Sequence, residues 1–98
     1  MNKAQGAGDT EELKALVIEV LVKRTDGVQE ISIPFIEVFI EACIIQRARS
    51  DILVENMSPA IRYQLLENLV KDGYVRLNPQ EEESIYLTQR AIDEFYSK

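Results

Sequence analysis

The chain lacks histidine and tryptophan altogether and contains a single cysteine, Cys43. The missing histidines remove the commonest general base and the usual zinc ligand, and one cysteine cannot form an internal disulfide or a zinc cluster. No glycine-rich phosphate loop is present, and no serine or cysteine has a plausible base. These absences predict a protein that is not an enzyme, binds no metal and carries no cofactor. One cysteine also fits a reducing, cytoplasmic compartment.

Long apolar runs are also missing from the sequence. The longest candidates, residues 13–22 and 33–45, are interrupted by glutamates and by Pro34, so neither predicts a membrane span. The first residues lack the charged and then apolar pattern of a signal peptide, so none is predicted. Residues 1–8 are small and polar, which predicts a disordered N-terminal segment before a single domain over residues 9–98.

Positive charge is scarce, because the 98 residues carry a formal net charge of −6. Phosphate contacts supply most of the affinity of a protein for nucleic acid, so this balance argues against a protein coated in basic surface. It does not exclude DNA binding, since the charge of the docking face matters more than the sum.

The most definite pattern that is present lies between residues 57 and 88. Ser58 is a good N-cap and Pro59 suits the first helical position. An apolar stripe follows at helical spacing, formed by Ile61, Leu65, Leu66, Leu69 and Val70. Gly73 can end this helix, after which residues 74–77 and 84–88 alternate as two strands around a break at Asn78-Pro79. A helix, a glycine and a two-stranded ribbon predict the second half of a winged helix.

The first half is predicted with less detail. A first helix starts at Asp9 or Thr10 and stops at Asp26-Gly27, and a short strand follows over residues 28–33. A second helix over residues 34–48 is apolar nearly all round, so it is either the centre of the domain or packs against a second copy. Residues 50–56 fit a helical turn or an extended linker equally well. Thr88 is the predicted N-cap of a last helix.

The second half resembles the winged helix-turn-helix domains of MarR-like and PadR-like regulators. The residues that carry the resemblance are Leu66, Leu69, Gly73, Tyr74, Val75 and the Tyr86-Leu87-Thr88 triplet. The resemblance implies an α+β, mainly α fold with a three-helix core, a two- to three-stranded antiparallel wing and a C-terminal helix. It also implies a DNA-binding transcriptional regulator that acts as a homodimer. The alternative is a winged-helix module that binds another protein and no nucleic acid.

In the regulator interpretation, the helix that starts at Pro59 is the recognition helix and enters the major groove. The predicted DNA-binding residues are Arg62, Tyr63, Gln64, Asn68 and Arg76. One feature departs from this pattern: Glu81, Glu82 and Glu83 form the wing tip, where carboxylates would be repelled by phosphates. The tip is therefore either a soluble turn or a docking site for a basic partner.

The apolar excess of the first two helices predicts a homodimer. Each large apolar side chain that a second copy covers gains about 1.5–3 kcal/mol over exposure to water. The predicted interface residues are Leu13, Val17, Phe35, Phe39, Ile40 and Ile44. A two-fold dimer would also place two recognition helices roughly 34 Å apart, which is one turn of DNA. Cys43, which lies among these aliphatics, is interpreted as a small buried hydrophobe.

Overall fold

The computed structural model describes residues 2–50 and 59–96, over which the chain forms four helices and three strands. In chain order they are α1 (Asn2–Thr25), β1 (Ser32–Pro34), α2 (Phe35–Ser50), α3 (Pro59–Lys71), β2 (Val75–Leu77), β3 (Ser84–Leu87) and α4 (Gln89–Tyr96). This is a mainly helical α+β fold with the element order of a winged helix, as the sequence predicts. The predicted Ser58 cap and the undecided segment after Ser50 lie outside the described residues.

The three strands form one antiparallel sheet in the order β1-β3-β2. Ser32 of β1 and Arg76 of β2 both pair with Tyr86 of β3, so these three residues lie side by side on one face. The turn between β2 and β3 is held by Asn78, whose side-chain oxygen accepts a hydrogen bond from the backbone N–H of Gln80 at 2.8 Å. The predicted break at Asn78-Pro79 is therefore confirmed.

The core is built around α1, which packs against α2, α3, α4 and β3. Val17, Ile18 and Leu21 are fully buried because neighbouring elements cover this helix on several sides. The rings of Phe35 and Phe39, at the start of α2, lie 5.8 Å apart within the same core. The central helix is α1, so the prediction that α2 is the centre of the domain is wrong, whereas its packing against a second copy stays a prediction.

The structure corrects several predicted boundaries in the first half. Helix α1 begins at Asn2 rather than at Asp9 or Thr10. Alanine, lysine and glutamine in its first turns favour a helix, whereas Gly6 and Gly8 oppose it. Strand β1 covers Ser32–Pro34 rather than residues 28–33, since its length is set by pairing with β3. Helix α2 extends to Ser50. No helix in the described parts of the chain is both long and apolar enough to cross a bilayer.

The junction between α3, β2 and α4 follows the sequence prediction closely. Gly73 has a φ of 81° and ends α3, with the Tyr74 N–H donating to the Leu69 carbonyl at 3.0 Å. The hydroxyl of Thr88 donates to the Gly73 carbonyl at 2.7 Å and accepts from the Ala91 N–H at 3.2 Å. One side chain therefore caps α4 and fixes the end of α3 beside it.

Because the Thr88 hydroxyl has both roles, we expect the stability of the fold to depend on it. We expect Thr88→Val to lower the free energy of unfolding by about 1–2 kcal/mol, because a helix N-cap and a hydrogen bond are lost together. Urea denaturation followed by circular dichroism measures this change. Thr88→Ser keeps the hydroxyl, so its free energy of unfolding is expected to fall much less. An equal fall for the two variants would contradict the role assigned to the hydroxyl.

Candidate nucleic-acid interface

Helix α3 is anchored to the core along one side only. Leu65 and Leu69 are buried against the core, whereas Tyr63 on the opposite side is 51% exposed and Gln64 is exposed. Pro59 and Ala60, the small residues at the start of the helix, are exposed as well. The N-terminal half of α3 therefore presents an open face that a partner can approach closely.

The predicted DNA-binding residues on α3 are already in contact with one another. The guanidinium carbon of Arg62 lies 4.8 Å from the centre of the Tyr63 ring. The Nε atom of Arg62 is buried without a hydrogen-bond partner. The side-chain amide of Gln64 donates to Asn68 Oδ1 at 3.3 Å. Arg62 is thus half-buried and turned partly inward, while Gln64 and Asn68 form a polar pair along the helix.

Arg76 lies apart from these residues, on the outer face of the sheet. Its guanidinium carbon is 4.5 Å from the centre of the ring of Tyr86, its cross-strand partner. Arg90, at the start of α4, lies in the same way over Tyr74 at 5.4 Å. Among the described residues, no hydrogen bond, ion pair or ring contact joins Arg76 to the α3 group. The sequence analysis missed Arg90, because nothing in the local pattern shows that α4 begins beside Tyr74.

The cations of the two halves of the chain differ in their partners. In the first half, carboxylates form ion pairs with Lys14, Lys23, Arg24 and Arg49, at distances of 2.9 to 3.8 Å. The hydrogen bond from Arg24 to Glu41 raises the pKa of this guanidinium above its usual value. Among the described residues, no carboxylate forms an ion pair with Arg47 or with the four cations of the second half, which are Arg62, Lys71, Arg76 and Arg90.

The acidic wing tip contacts the beginning of α2. The Glu83 carbonyl accepts a hydrogen bond from the Phe35 N–H at 2.7 Å, and Glu83 itself has a φ of 57°. The Ser32 hydroxyl donates to Glu81 Oε1 at 3.4 Å. These contacts tie the turn back to β1 and α2. Whether the exposed carboxylates of the tip also dock a basic partner stays a prediction.

An open groove of about 450 Å³ runs between α3 and β2. It is mostly apolar, and its lining consists of Tyr63, Leu66, Glu67, Val70, Lys71 and Leu77. Leu77, on the strand side, is 47% exposed. The sequence analysis did not find this groove, because alternation along β2 cannot show that α3 leaves Leu77 uncovered.

The six predicted interface residues fall into two sets. Leu13, Val17, Phe35 and Phe39 are at most 1% exposed within one copy of the chain, so they are corrected to core residues. Periodicity alone could not show that α1 and α2 cover one another. Ile40 and Ile44 are 39% and 60% exposed and remain available to a partner.

The described residues include no group of three or more histidine, cysteine, aspartate or glutamate side chains placed to hold a metal ion. No protein-family model, curated protein or solved structure matches the chain.

The thiol of Cys43 is buried, as the sequence predicts, and burial raises its pKa from 9.0 to about 11. At neutral pH the folded protein is therefore expected to resist thiol reagents until it is unfolded. Between pH 9.0 and about 11, the unfolded thiol ionises while the folded thiol stays protonated. Ionisation then favours the unfolded state, so the free energy of unfolding falls as the pH rises through this window.

Chemical denaturation across this pH range measures the effect, with Cys43→Ala as the matched control. The variant is expected to lose less stability on going to high pH than the natural chain. A parallel decline in both proteins would show that the ionisation of Cys43 does not contribute.

Proposed function

We propose that this protein is a winged-helix DNA-binding protein that acts as a homodimer in transcription regulation, with α3 as its recognition helix. The observation that carries the proposal is the set of cations in the second half that have no carboxylate partner among the described residues. A cation already paired with a carboxylate has little to gain from a phosphate, whereas an unpaired one can displace the counterions of DNA.

The N-terminal half of helix α3 is suited to enter the major groove. Its small exposed residues permit a close approach, and the positive end of the helix dipole favours phosphate. Arg62 has a buried N–H without a hydrogen-bond partner, which a base edge or a phosphate would satisfy after a rotamer change. Tyr63 and Gln64 are exposed beside it.

Arg76 is proposed to contact a phosphate rather than a base. The ring of Tyr86 lies under one face of the guanidinium, which restricts its motion and leaves its N–H edge free. Side chains on sheets beside a recognition helix commonly fix the register of the protein on the duplex. The acidic tip at Glu81–Glu83 stays out of the groove in this arrangement.

Binding to duplexes with a randomised centre, followed by fluorescence anisotropy over a salt series, tests the proposal. Arg62→Ala and Arg76→Ala are each expected to weaken binding and to reduce the slope of log affinity against log salt by about 1. Arg49→Ala is the matched control, because the Arg49 side chain is 56% exposed but paired with Glu19 at 3.4 Å. Absence of binding at low salt, or an equal effect of all three substitutions, would contradict the proposal.

The groove between α3 and β2 supports a second candidate, a winged-helix module that binds a protein. Apolar side chains dominate its lining, and Glu67 and Lys71 stand at its rim with opposite charges. An apolar groove with a polar rim is typical of a site that accepts a peptide segment. A bound DNA duplex would bury few of these apolar side chains.

A photo-crosslinking amino acid at position 77 tests this second candidate in cells. We expect it to capture one discrete protein, and we expect Glu67→Lys, which reverses an exposed charge in the lining of the groove, to weaken the capture. The same amino acid at position 28, where Val28 is 40% exposed outside the groove, is the control. Capture at both positions, or at neither, would count against the module.

A further inference from the structure

Helix α2 carries an apolar stripe on its outward side, formed by Ile36, Ile40 and Ile44. These residues are 41%, 39% and 60% exposed, although the other side of the same helix is buried in the core. Their spacing of four residues places them in one ridge along the helix. Isoleucine has one strongly preferred rotamer in a helix, so little side-chain entropy is lost when such a ridge is covered.

A groove of about 430 Å³ lies directly beside this ridge. Its lining is shared with the ridge through Ile40 and Ile44, and the rest is supplied by Arg24, Glu37 and Glu41. A ridge and a groove therefore occupy one continuous patch. A surface of this kind can be complementary to itself, because a two-fold axis places the ridge of each copy in the groove of the other.

The charges around the stripe cancel within one copy of the chain. Arg24 pairs with Glu37 at 3.0 Å and with Glu41 at 2.9 Å, and Lys23 lies 3.8 Å from Glu41. These two cations and two carboxylates sum to no net charge, whereas the whole chain carries −6. Two identical acidic proteins repel one another least where their surfaces are locally neutral.

We infer that a second copy of this chain covers the isoleucine stripe of α2 and its neighbouring groove, in a two-fold dimer with α2 packed against α2. The inference rests on the homodimer of the proposed function and gives that dimer a surface, but it does not depend on DNA binding. It keeps Ile40 and Ile44 from the sequence prediction and adds Ile36. The contact is apolar, so it is expected to depend little on salt, unlike contacts with phosphate.

Sedimentation equilibrium over a concentration series of the full chain tests the inference. The natural protein is expected to reach twice the chain mass, and Ile44→Glu is expected to raise the dimer dissociation constant about 100-fold, because each dimer contains the substitution twice. Ile40→Ser, which adds no charge, is expected to act in the same direction. Ile31→Glu is the matched control, since Ile31 is 43% exposed and lies outside the stripe. Circular dichroism confirms that each variant is folded.

The possible outcomes separate the surface from the function. A natural protein that stays monomeric at every concentration overturns both the dimer and this surface. If Ile44→Glu and Ile40→Ser leave the dimer intact, the surface alone is overturned. The surface is also overturned if Ile31→Glu disrupts the dimer as strongly as the two stripe variants do. Loss of the dimer in the stripe variants, with the Ile31→Glu dimer intact, supports the inference whether or not the protein binds DNA.

Discussion

The burial of α1 is the constraint on which the rest of the structure depends. Because α1 packs against α2, α3, α4 and β3, each of these elements buries apolar side chains against this one helix. In helix α3, Leu65 and Leu69 are buried in this core, whereas Tyr63 and Gln64 are exposed. The two surfaces to which we propose a function, the open face of α3 and the stripe of α2, are what this packing leaves uncovered.

Electrostatics divides the same fold into two parts. Carboxylates form ion pairs with most of the cations of α1 and α2, so the surface of these two helices is locally neutral. In the second half, the guanidinium groups of Arg62, Arg76 and Arg90 lie over tyrosine rings instead. An aromatic ring holds a guanidinium in place without cancelling its charge. A protein with an overall negative charge can in this way carry both a surface for a second copy and cations for phosphate.

The parts of the fold that the sequence predicted are those governed by local rules. Gly73 ends a helix because of its φ, Thr88 caps one because of its hydroxyl, and Asn78-Pro79 breaks a strand, and all three are confirmed. What could not be predicted depends on contacts between distant segments, such as the packing of α1 against α2. For the same reason, Phe35 was assigned to an interface and belongs to the core, and the tyrosine under Arg76 became visible only with the strand register.

We propose that α3 and the neighbouring sheet form the surface that meets a duplex, while α2 does not. Titration of the isotopically labelled protein with double-stranded DNA, followed by amide chemical-shift mapping, tests it most directly. The account predicts shifts concentrated in the first half of α3 and around Arg76, with the amides near Ile40 and Ile44 unmoved. Shifts centred on α2, or no shifts at low salt, would contradict it.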